Sequence, residues 1–328
     1  MRSIKLPLWT KRLLGFTPLP SPPHVFAIDE ARLRYASLHL DRHGIRLRDS
    51  RQLRLPPEAF MNGLLGGPLR DPGAFRELVG ALVGSIPGGV REASLVVPDA
   101  WLRITYAESG DLPRAAAAMD EVLRWKLRRL VPFRVDELRI GAAFVSPLPG
   151  QEEPRRLMMG FAIEQLLAQI EDAFMAHGVR LGQVSNVSLS VLDALALRDQ
   201  SSFTALMLVE EDGYTLILAR RGEPVLHRFK AASGVASETG PGGSAVRDLR
   251  LTRNFLEENF AGSALESVLL LAPPAVEPIW LERLEQGLGR RAAPVDERLL
   301  PALRSDGATL PPWRELAPMV GAARRMVA

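Results

Sequence analysis

The chain has no cysteine among its 328 residues, which removes disulfides, thiolate-bound zinc and cysteine-ligated iron–sulfur clusters from consideration. That composition suits a reducing compartment. Its five histidines are scattered, and His39, Asp41 and His43, the one group close in sequence, straddle a hairpin tip where solvated turn residues are the ordinary reading. A field of one sign is missing too: 41 Lys and Arg stand against 38 Asp and Glu, and the remaining +3 is too little to predict nucleic-acid binding. No apolar run approaches the roughly 18 residues that span a bilayer, and the first residues lack the apolar core of a signal peptide. A cytoplasmic location is expected. Signatures of catalysis are also absent: there is no Gly-x-x-x-x-Gly-Lys-Ser/Thr, no His-Glu-x-x-His and no Gly-x-Ser-x-Gly. The stretch Gly240 to Ser244 lacks the lysine and preceding strand of a phosphate loop and reads as a linker, and no histidine has a serine whose spacing argues for a triad.

What is present is apolar content, 47% of the residues, enough for one large domain or two lobes. Residues 1–16 mix Arg2, Lys5, Lys11 and Arg12 with Leu6, Leu8, Trp9, Leu13, Leu14 and Phe16. Such a segment can rest on an anionic membrane surface, but Pro7 interrupts a helix and the plainer reading is an arm that packs on its own domain. After the prolines at 18–23, His24 to Asp29 reads as a buried strand, Arg34 to Leu40 and Ile45 to Leu55 as its antiparallel neighbours. Asp71-Pro72 opens a helix to about Val83. Strands are expected at Ala93 to Pro98, Trp101 to Ala107, Leu157 to Ile163 and Val179 to Val187, and helices at Pro113 to Leu130, Glu164 to His177 and Ser188 to Leu197. Then Thr204 to Val209, Tyr214 to Ala219 and Pro224 to Phe229 repeat the opening three-stranded meander. A helix at 245–260, a strand at 267–271 and helices at 276–288 and 316–327 complete the expected order.

A duplicated meander with helices describes an α/β fold of the actin/Hsp70-like, ribonuclease H-like class. Three passages narrow it. Leu55-Pro56-Pro57 through Asp71-Pro72, Leu95 to Pro98 with Trp101 to Ile104, and Glu121 to Phe133 ending in Val131-Pro132-Phe133 occur in the order that resembles the type IV pilus assembly protein PilM family. So do Gly178-Val179, Val187 to Leu195, and Pro311 through Arg325. The resemblance covers about residues 24–328 and implies two lobes, an inserted 1C-type subdomain as in the cell-division protein FtsA, and a reduced or missing subdomain 2B. On that reading, residues 1–23 are an N-terminal arm, 24–92 the first lobe's opening part and 93–178 the inserted subdomain with flanking elements. Residues 179–200 return to the first lobe, and 201–328 form the second.

An active member of that superfamily needs bare backbone at the phosphates. Here the first hairpin keeps Asp29 but continues Glu30-Ala31-Arg32-Leu33, and the second reads Glu210-Glu211-Asp212-Gly213. Acid and bulk repel a triphosphate. The adenosine turn matches Ala272-Pro273-Pro274, where two prolines lack both freedom and N–H groups. Asp29, Glu210 and Asp212 are therefore vestiges, no cofactor is expected, and the chain reads as a pseudo-ATPase. The resemblance then implies a scaffold peripheral to the inner membrane that holds the cytoplasmic tail of a PilN-like bitopic membrane protein and contacts other pilus platform proteins. Trp101, Arg103, Trp125, Arg128, Arg129 and Phe133 are the residues expected to line its groove, as aromatic and Arg anchors do. A nucleotide-driven polymer and a GspL-like type II secretion component are the alternatives.

Overall fold

The computed structural model describes residues 22–41, 44–61, 63–110, 113, 115–145, 156–195, 197, 202–211, 213–231, 243–260, 265–305 and 310–324. The opening meander is β1 (His24–Ile28), β2 (Arg32–Asp41) and β3 (Gly44–Arg54), followed by α1 (Pro72–Gly84) and β4 (Glu92–Val97). Asp71 caps α1 through Oδ1, which accepts the Ala74 N–H at 2.9 Å, and Pro72 fills the first turn where no donor is needed. Next come β5 (Arg103–Glu108), α2 (Ala116–Arg128), β6 (Leu138–Val145), β7 (Arg156–Ile163), α3 (Glu164–Met175), β8 (Arg180–Asn186) and α4 (Val187–Ala194). The end of α3 turns at Gly178 with φ of 75°, a conformation that a glycine adopts without cost. The second half holds β9 (Phe203–Glu210), β10 (Gly213–Arg220), β11 (Glu223–Ala231), α5 (Ser244–Asn259), β12 (Leu265–Leu271) and α6 (Glu277–Leu288). Two short strands, β13 (Ala292–Pro294) and β14 (Leu303–Ser305), precede α7 (Trp313–Arg324).

The strand order is β14-β3-β2-β1-β4-β8 in the first sheet and β11-β10-β9-β12-β13 in the second. Setting β14 aside, both sheets read third, second, first, fourth, fifth, with the first three antiparallel and the last two parallel to the first. The duplication seen in the meanders thus extends to whole lobes, and the fold is the two-lobed actin/Hsp70-like one. α1 and α3 pack Phe75, Val79, Leu82, Leu166, Ile170 and Phe174 on one face of the first sheet. Its other face receives α7, and α4 lies with α7 between the two sheets. With both faces covered, β9 and β10 are buried along almost their whole lengths. The remaining face of the second sheet carries α5 and α6.

The third sheet, β5-β7-β6, interrupts the first lobe. In β7, Leu157, Met159 and Phe161 point to α2, while Met158, Gly160 and Ala162 line the cavity on the opposite face. Sequence patterning does not foresee β6, β13 or β14, and the strand expected from Trp101 begins only at Arg103. Trp101 instead sits in a turn, buried against Phe60 with ring centroids 4.5 Å apart. His39 is exposed, and His43 lies outside the described residues.

Tyr35, 1% exposed, hydrogen-bonds His24 Nδ1 at 2.8 Å, and burial pushes its phenol up to about 12. The unfolded phenol ionises near 10, so this contribution to stability is complete below that pH and is lost as pH rises through 12. Denaturant titrations at pH 9 and 12 are expected to show a smaller alkaline loss for Tyr35→Phe than for the unmodified chain; an equal loss would exclude this phenol as its source.

Candidate functional site

Two regions carry functional geometry: the space between the hairpins, and a groove beside the inserted sheet. In the β1–β2 hairpin, Asp29 Oδ1 accepts the backbone N–H groups of Ala31 and Arg32 at 2.9 and 2.8 Å. Its other oxygen is ion-paired with Arg34. The amides that a phosphate would need are already bonded to a carboxylate. Arg32 and Arg34 also reach Glu315 on α7, at 3.2 and 3.8 Å. Burial lowers the Arg34 pKa below the ordinary guanidinium value, and the charges of Glu315 and Glu210 oppose that shift. Two guanidinium groups therefore face three carboxylates, and the balance is unfavourable to a polyanion. Asp212 of the second hairpin lies outside the described residues.

The turn at Ala272-Pro273-Pro274, expected from the resemblance to stand where an adenosine would bind, is also internally bonded. Ala272 O accepts Arg314 Nη1 at 2.5 Å, Arg314 Nη2 donates to Glu277 Oε2 at 2.5 Å, and Pro273 O accepts the N–H groups of Val276 and Glu277 at 3.0 and 3.1 Å. Sequence inspection names the prolines here but misses Arg314, which lies 42 positions beyond Ala272, and Glu315, which lies 283 positions beyond Arg32.

Where the inserted sheet meets β11, three fully buried polar side chains join the lobes. Ser188 Oγ donates to Asp99 Oδ1 at 2.5 Å, and the Ser188 N–H donates to Asp99 Oδ2 at 3.1 Å. Since the hydroxyl proton is committed to Asp99, His227 Nε2, 2.8 Å away, is the donor to Oγ. The residues are those of a hydrolase triad, but the order is wrong: the serine sits between acid and imidazole, and His227 Nδ1 has no hydrogen-bond partner among the described residues. Closed off from solvent, the cluster links β11 to α4 and to the turn that carries Asp99. Tyr106 OH donating to Pro224 O at 3.1 Å and Arg156 Nη1 donating to Val225 O at 2.8 Å extend the same seam.

The groove lies between the inserted sheet and the first lobe, with a volume of about 430 Å³. Leu102, Ile104, Ile140, Met158, Leu167 and Leu189 make it apolar, and Gly141, Gly160, Ala142 and Ala143 leave it open by lacking bulk. β8, the edge strand of the first sheet, contributes Val184 to Asn186 along one side. At the rim, Arg139 donates to both oxygens of Glu164 at 2.8 and 2.6 Å and to Glu171 at 2.5 Å. These hydrogen bonds raise the guanidinium's pKa and lower that of Glu164.

None of the six expected groove residues lines this cavity. Trp101 is core. Arg103 donates to Leu64 O at 2.7 Å and stacks 4.2 Å from the Phe229 ring of β11, so it belongs to the interlobe seam. Trp125, 56% exposed, carries Arg129 over its ring at 5.4 Å, and Arg128 pairs with Asp136 at 3.5 Å on the same exposed side of α2. Phe133 packs 6.1 Å from Phe161, on the α2 side of the inserted sheet. The sheet therefore separates Trp125, Arg128, Arg129 and Phe133 from the groove.

No protein-family model matches the chain. No curated protein matches it by sequence either. Among solved structures, a chain of a PilM–PilN type IV pilus biogenesis complex superimposes with a TM-score of 0.68 at 18% identity, covering 94% of this chain and 100% of that one. The cytoplasmic domain of EpsL, an inner-membrane component of the type II secretion system of Vibrio cholerae, gives a TM-score of 0.46 at 10% identity over 91% of this chain and 93% of that one. A Bacteroides thetaiotaomicron protein with an actin-like ATPase fold gives 0.49 at 6% identity over 84% and 91%. The PilM-type fold expected from the sequence is thus the fold that the chain has.

Proposed function

We propose that the chain is a non-enzymatic actin-like scaffold of a type IV pilus or related secretion platform. It binds the cytoplasmic tail of a PilN-like bitopic membrane protein in the groove beside the inserted sheet, and through that tail it sits at the inner membrane. The observation that carries this reading is the groove itself: an open apolar channel bordered by an edge strand, of a kind that accepts an extended peptide. The likeness in fold to a component of the PilM–PilN complex supports it. Among the described residues no helix is long and apolar enough to cross a membrane, which fits attachment through a partner.

The pseudo-ATPase part of the proposal rests on the committed amides of Ala31 and Arg32 and on the acid excess around Arg34. Calorimetric titration with Mg·ATP is expected to give no saturable heat up to millimolar nucleotide. Binding on the order of micromolar would restore the nucleotide-switch reading.

For the groove, titration with N-terminal tail peptides of PilN-like proteins encoded beside this chain is expected to saturate on the order of micromolar. Met158→Glu places a carboxylate against Ile104 and Ile140 and should weaken binding at least about 10-fold. Trp125→Ala should leave it unchanged. The reverse pattern would move the partner to the exposed side of α2.

A further inference from the structure

We infer that the groove has an occupant of its own, the N-terminal segment of the same chain, residues 1–21, which docks there in cis and must be displaced by a partner. The inference rests on reading that groove as a peptide site and adds how the site is regulated. Three observations point to this segment.

The first is shape. Gly141, Ala142, Ala143 and Gly160 floor the groove, and a side chain at Gly141 would meet nothing within 4 Å. An occupant therefore has to bring its own bulk, and Ile4, Leu6, Leu8, Trp9, Leu13 and Leu14 supply it. Charge is the second. The Arg139 guanidinium is shared by Glu164 and Glu171, which leaves the rim one unit negative. Residues 1–21 contain Arg2, Lys5, Lys11 and Arg12 and no acid, so apolar and basic residues alternate as floor and rim do.

The third is reach. Pro23 is fixed where its carbonyl accepts the Leu38 N–H at 2.7 Å, at the start of β1. β1, β4 and β8 run parallel and adjacent, so the groove-lining end of β8 lies about 10 Å across and about 15 Å along from that point. Extended, the segment covers about 70 Å. Helices cover both faces of that sheet, so the segment has to pass around them, and its length exceeds the straight-line separation by enough to allow that detour and still enter the groove. A segment tethered this way acts at high effective concentration, so even weak contacts compete with a free peptide.

The absence of cysteine makes the test clean. The full chain carrying Thr10→Cys and Ala143→Cys, treated with a short bis-maleimide, should crosslink within one chain in most molecules. Thr10→Cys with Arg128→Cys, on the α2 side, should not. Crosslinked dimers would mean that a second copy supplies the segment, and no crosslink above the Arg128 control would mean that the segment lies elsewhere; either overturns the inference. A segment that co-sediments with anionic vesicles while the groove cysteine stays unreacted would assign it to the membrane instead. In parallel, the full chain with Leu8→Ala and Trp9→Ala should bind a PilN-like tail peptide several-fold more tightly than the unmodified chain. Equal affinity counts against the docked segment alone. Absence of tail binding in both chains, with the crosslink present, overturns the tail reading and leaves the docked segment standing.

Discussion

Gly321→Ala is expected to destabilise the chain by about 4 kcal/mol, lowering the thermal midpoint by about 10 °C. Gly321 is where α7 crosses α4 most closely: a methyl built on its Cα would stand 1.5 Å from the Ser190 carbonyl oxygen. Backbone cannot yield as a side-chain end does, so the two helices must separate. That gap opens in the layer between the sheets, where Leu316, Ala317, Met319 and Val320 are almost fully buried. Gly84→Ala, at the end of α1 with nothing within 4 Å of the added methyl, is the matched control and should be neutral or slightly stabilising. Equal midpoints for the two variants would mean that α4 and α7 do not meet as described.

Asp99→Ala should cost about 3 to 5 kcal/mol and, more tellingly, split the unfolding endotherm into two transitions. Removing the carboxylate strands the Ser188 hydroxyl and N–H, both buried, and takes away the negative charge that favours the Arg103 guanidinium. His227 keeps its hydrogen bond to Ser188, but the serine is no longer held in place by the carboxylate, so the buried polar tie between the lobes is weakened. Asp99→Asn keeps one acceptor oxygen and should cost less. A single transition with an unchanged midpoint in the alanine variant would show that the apolar contacts between the lobes are sufficient without this cluster.

The lobes were legible because each meander announces itself as three short apolar-rich runs separated by turn residues, and because the pattern occurs twice. β6 was not, since its middle, Gly141-Ala142-Ala143, lacks the β-branched residues that mark a strand and takes its place from hydrogen bonding to β7. Departures from a phosphate-loop pattern could be read residue by residue, because phosphate binding makes demands on local backbone. Pairings between distant residues could not: Arg32 meets Glu315 across 283 positions, and Asp99 meets Ser188 across 89. The groove shows the limit most plainly. Enrichment of Trp, Phe and Arg pointed to α2 and its surroundings, whereas the cavity is made by glycines and alanines whose importance lies in the space they leave.

Placing α7 against β1, β2 and β4 has a consequence for how the polypeptide matures on the ribosome. The half that is synthesised first cannot bury Val25, Ala36, Leu38 and Leu47 until residues 313–324 have emerged, after every strand of both sheets. Ala317 of the same helix packs on the second sheet as well, so neither inner face is closed before α7 is made, and the nascent protein carries uncovered apolar sheet through most of translation.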